Sequence, residues 1–291
     1  SGPDWLNTPV IDDVGSHMIE RRPGRLWLLL LCWVLTPKLA LAADDCRHLT
    51  ATGNPEYPPY LWRDPDNPEQ LIGANADLLK HMAKTLGLQV QVVYSGPWSR
   101  AQEDVRTGSI DMMAGYFITQ ARQQTMDFIK PAFLSTPSVV WVRQGEGFAY
   151  HGWADLKGRN GGTLVNNSHG QAFDDYAKAN LNLEAVPSAS QAFQKLVHKR
   201  NDYLIYEHYP GMALAQSLGL GKRLQVLDPA VSSEGLYLAL SQASPCNQPR
   251  LREQLAQKMT EIVASDLPQQ WLQRNLQLWQ RQQPPRVEPR H

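Results

Sequence analysis

ANADLLKHMAKTLGLQVQVVYSGPWSRAQEDVRTGSIDMMAGYF, residues 74–117, decides the fold. Leu78, Leu79, Met82 and Leu86 recur at helical spacing and Gly87 follows as a stop, so residues 74–87 read as an amphipathic helix. LQVQVVYS (88–95) is rich in β-branched residues and reads as a strand, WSRAQEDVRTG (98–108) as a second helix and IDMMAGYF (110–117) as another strand. With HLTATG (48–53) as a strand in front, this is a βαβαβ unit. Strands separated by helices of this length pair in parallel, which predicts an α/β fold.

The alternation starts again further on. GGTLV (161–165), LEAVP (183–187) and DYLIYEHY (202–209) read as strands. Between and after them come three helical patterns: SHGQAFDDYAKAN (168–180) with Ser168 as its cap, SASQAFQKLVHKR (188–200) with Ser188 as its cap, and PGMALAQSLG, begun by Pro210 and stopped by Gly219. The two halves show no sequence repetition. SVVWVRQ (138–144) and GLYLALSQ (235–242) are strands at the seams and read as crossovers between two lobes. The expected division is lobe 1 at residues 44–138 and 239–280, lobe 2 at 139–238, and a tail at 281–291, with helical residues 250–280 interrupted at Pro268. Two lobes joined by two connections leave a cleft, a preferred place for a small ligand.

Residues 1–17 read as an expression linker and residues 18–43 as a signal peptide. Arg21, Arg22 and Arg25 form its basic region, Leu26 to Leu35 its apolar region, and Ala40-Leu41-Ala42 its cleavage site. The apolar run is shorter than the roughly 20 residues of a membrane-spanning helix. The expected location is therefore the periplasm. Export also bears on the cysteines: Cys46 and Cys246 remain once the leader is gone, and in an oxidising compartment an isolated pair is expected to form a disulfide.

Charge is balanced, with 28 basic and 28 acidic residues, so there is no basic face for nucleic acid and a small-molecule partner is expected. The eight histidines show no ligand spacing, so no metal and no cofactor is expected.

The loops after the strands hold the candidate site, because open α/β sheets bind ligands at strand carboxyl ends. GNPEYPPYLW (53–62) carries three prolines and reads as a loop presenting Tyr57, Tyr60 and Trp62, either as one wall of a pocket or as local packing. Trp98 would complete that wall. In AGYFITQARQQTMDF (114–128), Thr119 is placed to cap a helical turn and Arg122 falls inside it. Arg122 would either clamp a ligand carboxylate or pair with Asp127. NNSHG (166–170) opens a helix, so the amides of Ser168 and His169 are candidates for holding an anion. Glu207 ends a strand and reads either as an acid facing an ammonium group or as a surface acid.

Seven segments carry a resemblance in order and spacing: YPPY, LIGANADLLKHMAKTLGL, Trp98, GSIDMMAG, ITQARQQTMDF, DLKGRNGGTLV and NDYLIYE. Together they resemble the family-3 extracellular solute-binding proteins, the polar amino-acid-binding components of ABC importers. The likeness covers residues 46–280, and Thr119-x-x-Arg122-x4-Asp127-Phe128 is its most specific part. It implies two Rossmann-like lobes with a two-stranded hinge and a ligand cleft, the periplasmic binding protein type II fold. It further implies that Arg122 clamps an α-carboxylate, that Glu207 stands for the aspartate that holds the α-ammonium, that Tyr57 and Trp98 sandwich the side chain, and that Ser168 adds to the carboxylate site. The implied partners are an ABC permease or a membrane sensor protein, with the binding protein itself a monomer.

Two departures qualify this. Family members often carry small hydroxyl residues near Gly115 and Phe117, candidate pocket positions that have none here. Asn54 stands where binders of basic amino acids have an acid, which argues against a lysine- or arginine-type ligand. Relatives of this fold include cyclohexadienyl dehydratases, but the Thr-Asp pair of those enzymes is replaced by Tyr206 and Glu207 and their later acid by Pro210. A non-enzyme is therefore expected.

Overall fold

A computed structural model describes residues 46–284. The linker at 1–17, the leader at 18–43 and residues 285–291 of the expected tail lie outside the described residues.

The first half runs β1 (His48–Thr52), β2 (Glu56–Tyr57), β3 (Leu61–Arg63), β4 (Leu71–Ile72), α1 (Ala74–Leu86), β5 (Gln89–Val92), α2 (Trp98–Arg106), β6 (Met112–Tyr116) and the short α3 (Gln120–Gln123). The long strand β7 (Met126–Arg143) leads out of it. The second half runs β8 (Asn160–Leu164), α4 (Gln171–Asn180), β9 (Asn182–Val186), α5 (Ala189–Val197), β10 (Tyr203–Glu207) and α6 (His208–Ser217). The equally long β11 (Leu224–Ser241) leads back to α7 (Pro249–Val263) and α8 (Leu267–Gln282).

The main sheet has strand order β5-β1-β6-β11-β7-β10-β8-β9. β1 is parallel to β5 and β6, and β8 is parallel to β9 and β10, so each half holds the parallel pairing that its helix-separated strands require. β7 and β11 are antiparallel and pass through both halves. One end of β11 pairs with β6 and the other end of β7 pairs with β10. Between these ends lies the ladder Ser232–Gly235 against Ser135–Ser138, flanked by register shifts. These two strands contain the expected seam segments, lengthened at their amino ends. This is the two-lobed α/β architecture expected from the sequence.

Helix positions follow the apolar pattern. α1 buries Leu78, Leu79 and Met82, and Gly87 closes it in the left-handed conformation at φ 68°. Ser188 accepts from the Gln191 amide at 3.1 Å, as an N-cap should. Strands covered on both faces divide their side chains between two cores: Met112 and Ala114 of β6 face one cluster, Met113 and Tyr116 the other.

Three expectations need correction. The stretch at 53–62 is only partly a loop, because Glu56–Tyr57 pairs with Leu61–Trp62 as the β2–β3 hairpin and Pro58, Pro59 and Tyr60 make the turn between them. α6 begins at His208, ahead of Pro210. α8 continues to Gln282, inside the segment read as a tail, where Trp62 Nε1 donates to Gln282 Oε1 at 2.9 Å. Trp62 is itself buried, edge-on to Trp279.

Cys46 and Cys246 are bonded, with Cα atoms 5.4 Å apart across 200 residues of sequence. The bond ties the start of β1 to the loop before α7, so the C-terminal helices rest on the first lobe. Closing a loop of that length removes much unfolded-chain entropy, and reduction is expected to lower unfolding stability by about 2–5 kcal/mol. Urea melts with and without reductant measure it; an unchanged midpoint with both thiols shown free would contradict the assignment.

Candidate functional site

The carboxyl ends of β6 and β10 and the loop after β8 converge on one cavity. Its walls include Asn54, Tyr57, Leu61, Trp98, Gly115, Tyr116, Phe117, Arg122, Asn167, Glu207 and Leu236. Of the residues expected from sequence, Tyr57, Trp98, Gly115, Phe117, Arg122 and Glu207 are therefore together. Tyr60, Ser168 and His169 are not among those walls. Tyr60 is 1% exposed and stands behind Tyr57, ring centroids 5.1 Å apart, because the hairpin turn drives it into the core.

Arg122 is positioned by its own turn. The Thr119 hydroxyl accepts from the Arg122 amide at 3.1 Å and so caps α3 as expected. The guanidinium lies over the Tyr116 ring, 3.8 Å from its centroid. Nη1 donates to the Phe117 carbonyl at 3.1 Å, and Nη2 to Gln102 Oε1 at 3.2 Å and to the Asn166 carbonyl at 3.4 Å. Among the described residues no carboxylate lies within ion-pair distance of Arg122. The alternative partner, Asp127, is engaged by Asn247 at 2.8 Å and Arg252 at 3.7 Å. Burial lowers the Arg122 pKa from its ordinary value, against the opposing pull of Tyr116, Asp174 and Glu207.

Glu207 ends β10 and is 3% exposed. It is not a surface acid. Burial pushes its carboxyl up to about 7, although its own backbone amide and the charge of Arg122 pull the other way. The Asn167 side chain also acts on it as a hydrogen-bond donor, although no donor lies within strict hydrogen-bond geometry of its Oε2 among the described residues. The cavity thus has a cation without a carboxylate on one wall and an acid with a free acceptor on another. Rings fill the rest: the Tyr57 hydroxyl is buried and unpartnered, and Trp98 stands edge-on to Tyr116 at 5.6 Å.

Gly115 has a backbone reason to be glycine. Its φ is +106°, and a Cβ there would meet Asn75 Nδ2 at 2.5 Å. Asn75 in turn donates to the Ala114 carbonyl at 2.9 Å, which ties β6 to α1. Phe117 is buried and serves Arg122 through its carbonyl.

Ser168 does not cap α4, whose N-cap is Gly170. Asp174 is the reason: it reaches back from the helix, taking the Ser168 hydroxyl and the His169 amide, the latter at 2.9 Å. A carboxylate of the protein thus occupies the amide that was a candidate anion donor. The His169 ring lies between Thr163 and Ser138, 2.9 and 3.4 Å away, and burial pushes its pKa down to about 3.

Sequence reasoning missed Tyr116, Gln102, Asn167, Leu61 and Leu236. Gln102 lies one helical turn after Trp98, so i, i+4 spacing puts it on the face already singled out. Tyr116 follows Gly115 at a strand end, the place where such sites are sought. Leu236 comes from β11, distant in sequence, and no local signal marks it.

Glu207 carries a stability consequence. Its carboxyl titrates near the ordinary 4.5 in the unfolded chain and at about 7 when buried, so the folded protein holds a proton that it must lose as pH rises. Stability is therefore lost between those values on going up. Without ligand, Glu207→Gln is expected to raise the melting temperature by several degrees at pH 8 and to leave it unchanged at pH 4. Thermal melts at the two pH values test this, and an equal change at both would contradict it.

Comparison with known proteins agrees with this fold. Part of the chain is 34% identical over 96 residues to the arginine-binding protein ArgT of Corynebacterium glutamicum, taking in 33% of this chain and 30% of that protein's length. In three dimensions the fold is similar to the amino acid ABC transporter substrate-binding protein AbpA of Streptococcus pneumoniae, solved bound to L-arginine. The TM-score is 0.67 at 17% identity, over 82% of this chain and 98% of that one. It is also similar to a histidine kinase sensor domain with similarity to periplasmic binding proteins, at TM-score 0.65 and 20% identity, over 79% of this chain and 97% of that one. The profile of one family matches residues 49–275, and by that match the chain belongs to the bacterial extracellular solute-binding proteins, family 3.

Proposed function

We propose that this protein captures a small zwitterion, an L-α-amino acid or a close derivative, between its two lobes and delivers it to an ABC permease. One observation carries the reading: Arg122, with no carboxylate partner, and Glu207, with an unpartnered oxygen, come from different lobes and line the same cavity. A ligand bearing both a carboxylate and an ammonium group would engage both and hold the lobes together. In this reading lobe 1 is residues 44–138 and 239–280 and lobe 2 is 139–238, with the division crossing β7 and β11. Closure about those strands shifts an open–closed population, and no covalent step is needed. The family is one of binding proteins, and export to the periplasm as a monomer fits it.

The ligand side chain is uncharged in this reading. Of the proteins named above, ArgT is an arginine-binding protein and AbpA was solved bound to L-arginine, but a guanidinium or second ammonium deep in the cavity would need its own carboxylate. Among the described residues Glu207 is the one acid on the cavity wall; Asn54, also on that wall, is neutral, and the Glu56 carboxylate is held by the Ser190 amide at 3.1 Å. Tyr57, Leu61, Trp98 and Phe117 suit apolar or aromatic groups.

Thermal-shift assays over the standard L-amino acids at pH 8 test this, since a ligand that binds only the folded state raises its melting temperature. At least one amino acid with an uncharged side chain is expected to raise it, and Arg122→Ala to abolish the rise. Glu207 gains a proton below about 7 and loses its charge toward an ammonium group, so affinity is expected to fall by roughly tenfold between pH 8 and pH 6. A shift from arginine or lysine alone would reject the uncharged side chain, and no shift from any amino acid would reject the reading. Docking on a membrane sensor would use the same closed form; capture of membrane proteins with and without amino acid separates the two partners.

A further inference from the structure

The β2–β3 hairpin belongs to the first lobe, yet its leading strand is gripped by the second. Side chains alternate along β2, so Tyr57 lines the cavity while Glu56 is not on its wall. Glu56 meets α5 of the second lobe instead. Its Oε2 accepts from the Ser190 amide at 3.1 Å and also from the Ser190 hydroxyl. The Glu56 backbone is held as well: its carbonyl accepts from the Tyr206 hydroxyl at 2.8 Å, and its amide donates to Asn54 Oδ1 at 3.0 Å.

This contact completes a helix end. Ser188, the N-cap of α5, takes the Gln191 amide at 3.1 Å, and the Ser190 amide in the same first turn has no carbonyl of its own helix to bond. A carboxylate suits that place, because the free amides and the helix dipole both favour negative charge there. Glu56 supplies it from 134 residues away in sequence and from the opposite lobe. When the lobes part, the Glu56 carboxylate and the Ser190 and Tyr206 donors return to water. A bond to a carboxylate is stronger than one between neutral groups such as Trp98 and Asn167, so its loss is felt more.

We propose that Glu56 is a positioning residue for capture: it touches no ligand, and by joining the hairpin to the N-terminus of α5 it holds the closed form and sets how long a ligand stays bound. The inference rests on the receptor reading above and deepens it. The apparent dissociation constant of a closing receptor is the intrinsic one divided by the fraction of protein in the competent form. A bond made only on closure favours that form by the same factor whatever the ligand side chain is. It acts on release and not on uptake, because a ligand enters the open form, in which Glu56 and Ser190 are apart. Tyr57 is the next residue, so the bond at Glu56 also fixes that ring in the cavity wall.

The test compares wild type with Glu56→Ala, Ser190→Ala and the double variant, using the standard L-α-amino acids that raise the wild-type melting temperature. Affinity is read by calorimetric titration and release by stopped-flow fluorescence. Glu56→Ala is expected to weaken binding about tenfold, by the same factor for each amino acid, through faster release at an unchanged association rate. Ser190→Ala is expected to act in the same direction, and the double variant to lose less than the two single losses combined, because both remove parts of one contact. Loss of fold lowers the fraction of protein that binds and not the release rate of the rest, and as the variants lie on different elements either one that folds suffices. Wild-type binding with release unchanged in the folded variants overturns this inference and leaves the receptor reading standing. A changed order of preference among the amino acids would put Glu56 at the ligand and overturns it too. If wild type takes up no amino acid, the receptor reading falls and this inference with it.

Discussion

The Arg122 guanidinium is held in the protein by groups that satisfy its hydrogen bonds without cancelling its charge. Two backbone carbonyls, one side-chain amide oxygen and the face of a tyrosine ring surround it. A buried cation is costly unless something answers it, and neutral acceptors answer it only in part. The residual field is directed at the cavity, where Glu207 stands in the mirror position: an acid whose burial raises its pKa and whose Oε2 is unsatisfied. Each group is easier to keep charged when a complementary ligand lies between them, which gives closure its driving force.

The fold makes this possible through strand ends. β6 runs into Gly115, Phe117 and the turn of Arg122, β8 into Asn166 and Asn167, and β10 ends on Glu207. Each is the carboxyl end of a strand that pairs in parallel within its own half, the place where α/β sheets present ligand-binding groups. β7 and β11 connect the halves without contributing a charged group to the cavity wall, so bending them moves the walls without rebuilding the cores.

Several single polar bonds cross between the two halves. Trp98 reaches Asn167, the Gln120 amide reaches Gln171 at 2.8 Å, the Tyr206 hydroxyl reaches the Glu56 carbonyl at 2.8 Å, and Glu56 holds Ser190. Such bonds are individually weak on balance, since water replaces them when the halves part. A receptor needs this balance, because lobes sealed by apolar packing alone would stay shut whether or not a ligand was present. Burial raises the carboxyls of Asp174 and Glu234 as well.

Much of the architecture was legible in the chain itself. Helical spacing in 74–87, the β-branched strands and the stop at Gly87 are local signals, and local sterics and apolar periodicity are enough to read them. The same holds for Thr119, whose spacing to Arg122 predicts the cap that is found. Tertiary structure decided what those signals could not reach. Whether Arg122 met Asp127 or an empty wall depended on Asn247 and Arg252, more than a hundred residues away. Tyr60 and Trp62 looked like Tyr57 in sequence, yet pairing of β2 with β3 sent two of the three rings into the core. Ser168 lost its cap to Asp174. A sequence encodes which conformations each segment prefers; which polar groups are left without a partner is a property of the assembled fold, because it depends on every neighbour at once.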